Sequence, residues 1–309
     1  MKKRTLFIVF AVAATAALLL SGCGPQEAAE GEPQVEKKPV SIAYVEWARA
    51  TAISHVAAEI LRTQGFEVEL QNVANAAMWQ SVASGDTDAI LCAWLPATHQ
   101  MFYGPQGEFS HRVVNMGPNY YGAQLGLVVP SYVDVDAMPN LDANASMFDQ
   151  EIVGIDPGAG MMQQTETMIQ NDTYGMGDWN LLEGSGPTMT AALEDAIQAE
   201  EPIVVTGWKP HWMFGRWDLK ILADPENVYG EQETINTMVR EGLAEDNIAA
   251  FRFFEKFDWT QLDLGQVLVL NQEGMQPTES AKQFVNENVE TINELLPDDP
   301  YFSEIEGAS

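Results

Sequence analysis

Only two cysteines occur in this 309-residue chain, Cys23 and Cys92, so no disulfide framework can hold it together. Basic residues are scarce too. Fifteen Lys and Arg face 45 Asp and Glu, a net charge of −30, and a surface of that sign repels phosphate backbones, which excludes a nucleic-acid partner. The acidic excess fits a protein in a salty medium, where screening shortens self-repulsion, and fits equally the ordinary use of acid to keep a surface soluble. The motifs of common chemistries are missing. There is no HExxH, no Cys/His ligand spacing, no GxSxG elbow, no GxGxxG and no GK[ST]. The histidines at 55, 99, 111 and 211 are scattered, and with so many carboxylates a chance acid pair carries no signal. No catalytic residue, metal site or cofactor is expected.

What is present begins with a processing signal. Lys2, Lys3 and Arg4 precede an apolar run over residues 6–20, and Leu20-Ser21-Gly22-Cys23 closes it. The run is shorter than the ~20 residues a membrane span needs. The pattern is that of a bacterial lipoprotein signal: residues 1–22 are the signal peptide and Cys23 is the lipidated residue. Without the signal, 12 basic residues face 45 acidic ones. Residues 23–39, rich in Glu, Pro, Gly and Gln with no apolar period, read as a flexible tether. The whole chain is 46% hydrophobic and 19% charged, enough apolar material for two lobes with cores.

From Val40 the chain reads as β-α-β-α-β. Residues 40–45 alternate as a strand. Ile53, Val56, Ala57, Ile60 and Leu61 share a helical face before Gly65, 66–70 alternates again, a helix runs through 77–82, and an apolar strand leads to Trp94. The same order returns with a strand at 151–155, a Gly-rich turn, helices at about 161–170 and 189–199, and a strand at 202–206. Two such units predict two lobes. The apolar run 123–130 and the stretch 223–227 are the expected crossings between them. Helical segments after 235, including 249–256 and 279–296, are expected to pack back on the first lobe. The expected domains are 40–127 with 228–305, and 128–227.

Trp47, Trp94 and Trp208 each follow a predicted strand at its C-terminal end, where open α/β sheets bind ligands. Any one of these rings could simply cap a core edge. Three together suit a quaternary ammonium, whose charge is spread over methyl groups and which offers no N–H to a carboxylate. Each ring face contributes ~0.5–1 kcal/mol when wet and ~2 or more when desolvated. Three give roughly 4–6 kcal/mol, about the low end of the ~4–15 kcal/mol that association costs. A second anchor is therefore expected. The Gly158-Ala-Gly160-Met161 turn before a helix aims backbone amides outward at a helix N-terminus, an anion site. His99, after the Leu95-Pro96 turn, can lie beside Trp94 and donate to a carboxylate. Cys92, in an apolar strand with no basic neighbour in sequence, reads as a core residue.

The segments IAYVEW, AWLPATH, GLVVP, IVGIDPGAGM and PIVVTGWKPHWMF, in a lipoprotein context, resemble the glycine betaine-binding proteins of ABC transporters, in the subgroup that holds its ligand in a three-Trp prism. The resemblance covers about residues 40–300. It implies an α/β, two-lobed periplasmic-binding-protein-like fold of type II, with two crossover linkers and a ligand cleft between the lobes. Carried over by motif, Trp47, Trp94 and Trp208 form the prism, and the Gly160 and Met161 amides with the His99 side chain hold the carboxylate. His211 and Trp212 support the Trp208 loop. The resemblance also implies an exported, lipid-anchored monomer on the extracytoplasmic face of a membrane, in the periplasm or at the cell surface, docking on a membrane permease and performing no chemistry. Choline, carnitine, proline betaine or a sulfonium analogue would fit the same fold. An exported hydrolase using Cys92 or His99 is the alternative of another class.

Overall fold

A computed structural model describes residues 37–306; the signal, Cys23 and the tether up to residue 36 lie outside the described residues. β1 (Val40–Tyr44) buries Val40 and Ile42 on one face and Ala43 on the other. The chain turns directly into α1 (Ala48–Thr63), whose buried stripe contains the five apolar residues spaced at helical intervals in the sequence. Gly65, at φ +83°, takes the left-handed turn that follows. β2 (Val68–Asn72), α2 (Asn75–Ser84) and β3 (Ala89–Leu95) complete the first unit, and all seven residues of β3 are buried. That continuous burial identifies β3 as a central strand covered on both faces.

β4 (Val113–Pro130) is the longest strand at 18 residues. The second unit follows with β5 (Glu151–Val153), α3 (Gly160–Gln170), β6 (Asn180–Leu182) and α4 (Gly186–Ala199), the last closed by a Ser185/Thr188 capping box. β7 (Val205–Lys209), the single turn α5 (Met213–Arg216), β8 (Leu219–Ile221) and β9 (Glu233–Arg240) come next. The chain then ends in helices: α6 (Leu243–Asp246), α7 (Ile248–Lys256), α8 (Gly265–Gln272), α9 (Pro277–Glu287) and α10 (Val289–Leu295).

The strands run in the order β2-β1-β3-β9-β4-β7-β5-β6, with β8 paired to β4. β4 joins the two halves of this curled sheet. Residues 113–123 pair antiparallel with β9, and from Gln124 to Val128 the strand pairs antiparallel with β7. The change of partner lies within the apolar 123–130 run.

Four sequence expectations move. Residues 233–240 form strand β9, not helix, wedged between β3 and β4. The strand expected at 202–206 lies at 205–209, because Pro202 has no N–H for a ladder and the pairing with β4 begins at Val205. Trp94 and Trp208 stand inside their strands and not after them, with Trp94 opposite Ile235 and Trp208 opposite Leu125. Partner strands that alternation alone did not reveal carry β3 and β7 beyond the expected ends. Only Trp47 stands past the end of its strand, at the N-cap of α1. The helix expected over 279–296 divides at Asn288 into α9 and α10.

Candidate functional site

The geometry starts where β3 ends. After Trp94 the Leu95–Pro96 peptide is cis, and the chain folds back so that the His99 N–H donates to the Trp94 carbonyl at 3.0 Å. The Trp94 N–H in turn donates to His99 Nδ1, also at 3.0 Å. An Nδ1 that accepts carries no proton in the neutral ring, so the proton sits on Nε2. Burial pushes the His99 pKa down to about 3, so the imidazole is neutral at physiological pH. Its Nε2 is buried and has no hydrogen-bond partner.

The loop carrying His99 is held from β9. Glu233 is buried at 3% exposure, and its carboxylate accepts from the Ala97 N–H at 2.6 Å, from the Thr98 N–H at 2.9 Å, and from the Thr98 hydroxyl. Three donors to one carboxylate fix the turn, and through it the imidazole.

The second unit meets this corner through the 155–161 loop. Gly160 opens α3, and neither its N–H nor that of Met161 donates to another backbone group among the described residues. Both amides lie at the positive end of an 11-residue helix. A Cβ on residue 160 would overlap the carbonyl oxygen of Thr98, so glycine is required for the two units to approach this closely. Two further bonds cross between the units here: Trp47 Nε1–H donates to Asp156 Oδ2 at 2.8 Å, and Asn75 Nδ2–H to the Gly158 carbonyl at 3.0 Å.

Trp47, Trp94, Trp208, His99, Gly160 and Met161 all line a single cavity between the two halves of the sheet. Ala50, Cys92, Leu125, Ile155, Ala159 and Ile235 supply apolar wall, and Thr98 and Arg49 complete it. The Trp47 ring stacks on His99 at 6.0 Å between centroids, and His99 also meets Trp79 edge to face at 5.6 Å. His55 and His111 do not border the cavity. His211 meets the Trp208 ring edge-on at 4.7 Å, and its Nδ1 accepts from the Met213 N–H at 3.2 Å. The Trp212 ring is tilted against His211 at 5.1 Å between centroids. Neither His211 nor Trp212 borders the cavity.

The cavity lining brings three tryptophans together with His99 and the first two residues of α3, and supplies no evident base or nucleophile. Burial pushes the Cys92 thiol up to about 12, outweighing the nearby Arg49 guanidinium, so the sulfur stays protonated. Among the described residues no cluster of three or more metal-ligating side chains occurs. Asp156, Glu233, Thr98, Asn75 and Arg49 escaped the sequence reading as site residues. Thr98 and Asp156 lie within the AWLPATH and IDPGAGM segments, which were the available signal; Glu233, Asn75 and Arg49 had none.

An α/β chain of two joined half-sheets, with a cavity between them lined by rings and backbone amides, is built as a solute-binding protein. Residues 38–287 match the family described as OpuAC, the substrate binding domain of the ABC-type glycine betaine transport system, and the chain belongs to that family. Its members work outside the cytoplasm with ABC transporter components. A glycine betaine/carnitine transport binding protein, GbuC of Listeria monocytogenes, is 43% identical over 141 residues, which are 46% of this chain and 47% of that protein. The chain thus matches about half the length of that curated relative. The crystal structure of lactococcal OpuAC, closed and complexed with glycine betaine, superposes with a TM-score of 0.78 at 37% identity, covering 85% of this chain and all of that one. The glycine betaine/L-proline-binding protein ProX of Borrelia burgdorferi gives a TM-score of 0.79 at 32% identity, covering 85% and 97%. The fold is the periplasmic-binding-protein-like α/β fold of these structures. No helix among the described residues is long and apolar enough to cross a membrane.

Proposed function

We propose that this protein captures glycine betaine outside the cytoplasm and delivers it to the permease of an ABC importer for osmoprotective uptake, performing no chemistry itself. Trp47, Trp94 and Trp208 surround the trimethylammonium group. His99 Nε2–H and the Gly160 and Met161 amides hold the carboxylate. Residues 40–127 with 228–305 form one lobe and 128–227 the other, so the ligand bridges lobes and favours the closed state. The chain acts as a monomer, tethered through residues 23–39 to a lipid on Cys23.

One observation carries this reading: a neutral, buried His99 with its Nε2–H unpartnered on the wall of a Trp-lined cavity. A buried donor left unmade costs about 1–3 kcal/mol. A ligand acceptor at that point recovers it, and a carboxylate, which accepts only, also suits the two free amides beside it. Relatives named for glycine betaine support the same choice. Cys92 held protonated gives no support to a hydrolase.

The test is a titration followed by intrinsic Trp fluorescence with betaine, carnitine, proline betaine, a sulfonium analogue and choline. Betaine is expected to bind well ahead of choline, which carries the same cation without the carboxylate. Choline equal to betaine would remove the roles of His99, Gly160 and Met161, and no response to any methylated cation would remove the cage.

A further inference from the structure

Arg49 lies two residues beyond Trp47 on α1 and turns inward, 6% exposed, onto the wall of the same cavity. Its Nη1 donates to Asn119 Oδ1 at 2.8 Å and its Nη2 to the Asn119 carbonyl at 2.9 Å. The guanidinium carbon sits 5.0 Å from the centre of the Tyr120 ring. It takes part in no ion pair among the described residues. Asn119 is itself committed, donating through Nδ2 to the Leu91 carbonyl at 3.0 Å and to the Thr237 hydroxyl at 3.1 Å. Burial lowers the Arg49 pKa only to about 10, so the charge persists at neutral pH.

A buried charge without a counterion is destabilising, and a neutral Gln could make the contact to Asn119 Oδ1 without it. The charge itself therefore needs a reason, and the cavity supplies one. Arg49 is the one side chain of full charge that lines it: His99 and Cys92 are neutral, and the rest are apolar, aromatic or hydroxylic. Indole faces cannot separate betaine from choline, since both present the same trimethylammonium group. Net charge can. A fixed cation in a desolvated cavity repels a ligand of net charge +1 and is nearly indifferent to, or attracts, a zwitterion whose carboxylate compensates its own cation.

We infer that Arg49 is the charge filter of this cavity, admitting methylated ammonium compounds that carry a carboxylate and rejecting those that are net cations. This rests on the cavity being the betaine site, and adds to the anchoring by His99, Gly160 and Met161 a repulsive element against the competing ligand.

The experiment is calorimetric titration of the purified full-length chain and its variants with betaine, with choline, and with 3,3-dimethylbutan-1-ol, the neutral carbon isostere of choline. In Arg49→Gln and Arg49→Met the betaine-to-choline preference is expected to narrow about tenfold or more, while Arg49→Lys keeps it within about threefold. Asn119→Asp reaches the same end by a second route, placing a carboxylate against the guanidinium, and is expected to narrow the preference too. The neutral isostere should respond equally in wild type and Arg49→Gln. An unchanged preference in any cooperatively unfolding variant without the net charge overturns the inference. So does an Arg49→Lys variant as permissive as Arg49→Gln, or a neutral isostere that gains as much as choline. Failure of the wild type to bind betaine at all would instead remove the functional reading beneath it.

Discussion

At the end of β3 the chain runs Trp94-Leu95-Pro96 and reaches a histidine at 99; at the end of β7 it runs Trp208-Lys209-Pro210 and reaches one at 211. Both X–Pro peptides are cis. Both imidazoles accept a backbone N–H at Nδ1, and burial pushes both pKa values down to about 3. They differ in their surroundings. His99 Nε2 is buried without a partner on the wall of the Trp-lined cavity, whereas His211 borders a separate groove with Glu46, Trp212 and Asn271 and packs perpendicular to the Trp208 ring. On the proposed function, the same short grammar yields a ligand donor in one corner and a buttress in the other. The local motif sets the tautomer; the tertiary surroundings of the two rings differ.

The largest way to test that division is to remove the rings the corners share. Trp94→Ala and Trp208→Ala are each expected to weaken betaine binding by ~1–2 kcal/mol or more, tenfold or beyond. Isothermal titration reads this directly, and an unchanged Kd for either variant would take that ring out of the cage. The histidines then separate the corners. His99→Ala should weaken betaine about tenfold, a lost hydrogen bond of ~1–2 kcal/mol, with little effect on choline. His211→Ala should weaken both ligands to the same smaller degree, about threefold, through a loosened Trp208. Equal losses of betaine and choline in His99→Ala would make His99 a second buttress.

Acid sharpens the comparison further. Because both folded-state pKa values lie near 3, below the ordinary 6.5, neither ring gains a proton between pH 8 and 5. Betaine affinity should stay within about twofold over that range, and a step near pH 6.5 would mean that His99 binds in its charged form. Stability behaves differently. The unfolded chain takes up these protons below pH 6.5 and the folded one does not, so the contribution is complete above 6.5 and is lost as pH falls toward 3. Each ring accounts for up to about 5 kcal/mol over that whole range. Denaturant midpoints at pH 7 and pH 4 should therefore move in wild type, and move less in His99→Ala and in His211→Ala. The smallest effect belongs to Cys92→Ser, which should leave betaine affinity within about twofold, since a protonated thiol on the wall does no chemistry.

Much of the first unit could be read residue by residue because its signals are local. β1 alternates, α1 carries its apolar stripe, and β3 is a pure apolar run. β9 was hidden by its composition. Glu233-Thr-Ile-Asn-Thr-Met-Val-Arg240 places polar side chains at the centre of a sheet, where a buried strand is expected to be apolar. Each has a partner far away in sequence: Glu233 at Ala97 and Thr98, Asn236 at Asn115, Thr237 at Asn119. The cavity divides the same way. Three tryptophans after predicted strands and a Gly-rich turn announce themselves within a few residues. One aspartate among 45 acidic residues does not, and Asp156 acquires meaning only when Trp47, 109 positions earlier, reaches it. Arg49 and Asn119 are 70 positions apart, beyond any periodicity.

β4 has a mechanical consequence. One unbroken polypeptide belongs to both half-sheets, so the halves are joined by covalent backbone as well as by ladder bonds, and swinging them apart bends this strand without requiring its pairings to be severed. Its register with β9 slips at three places between Asn115 and Ala123, with Gly117 at φ +101° and Gly122 at φ +76°. These irregularities sit immediately before the switch of partner, where each locally interrupts the ladder and bends the strand; on the proposed two-lobed reading this is the place where β4 would flex.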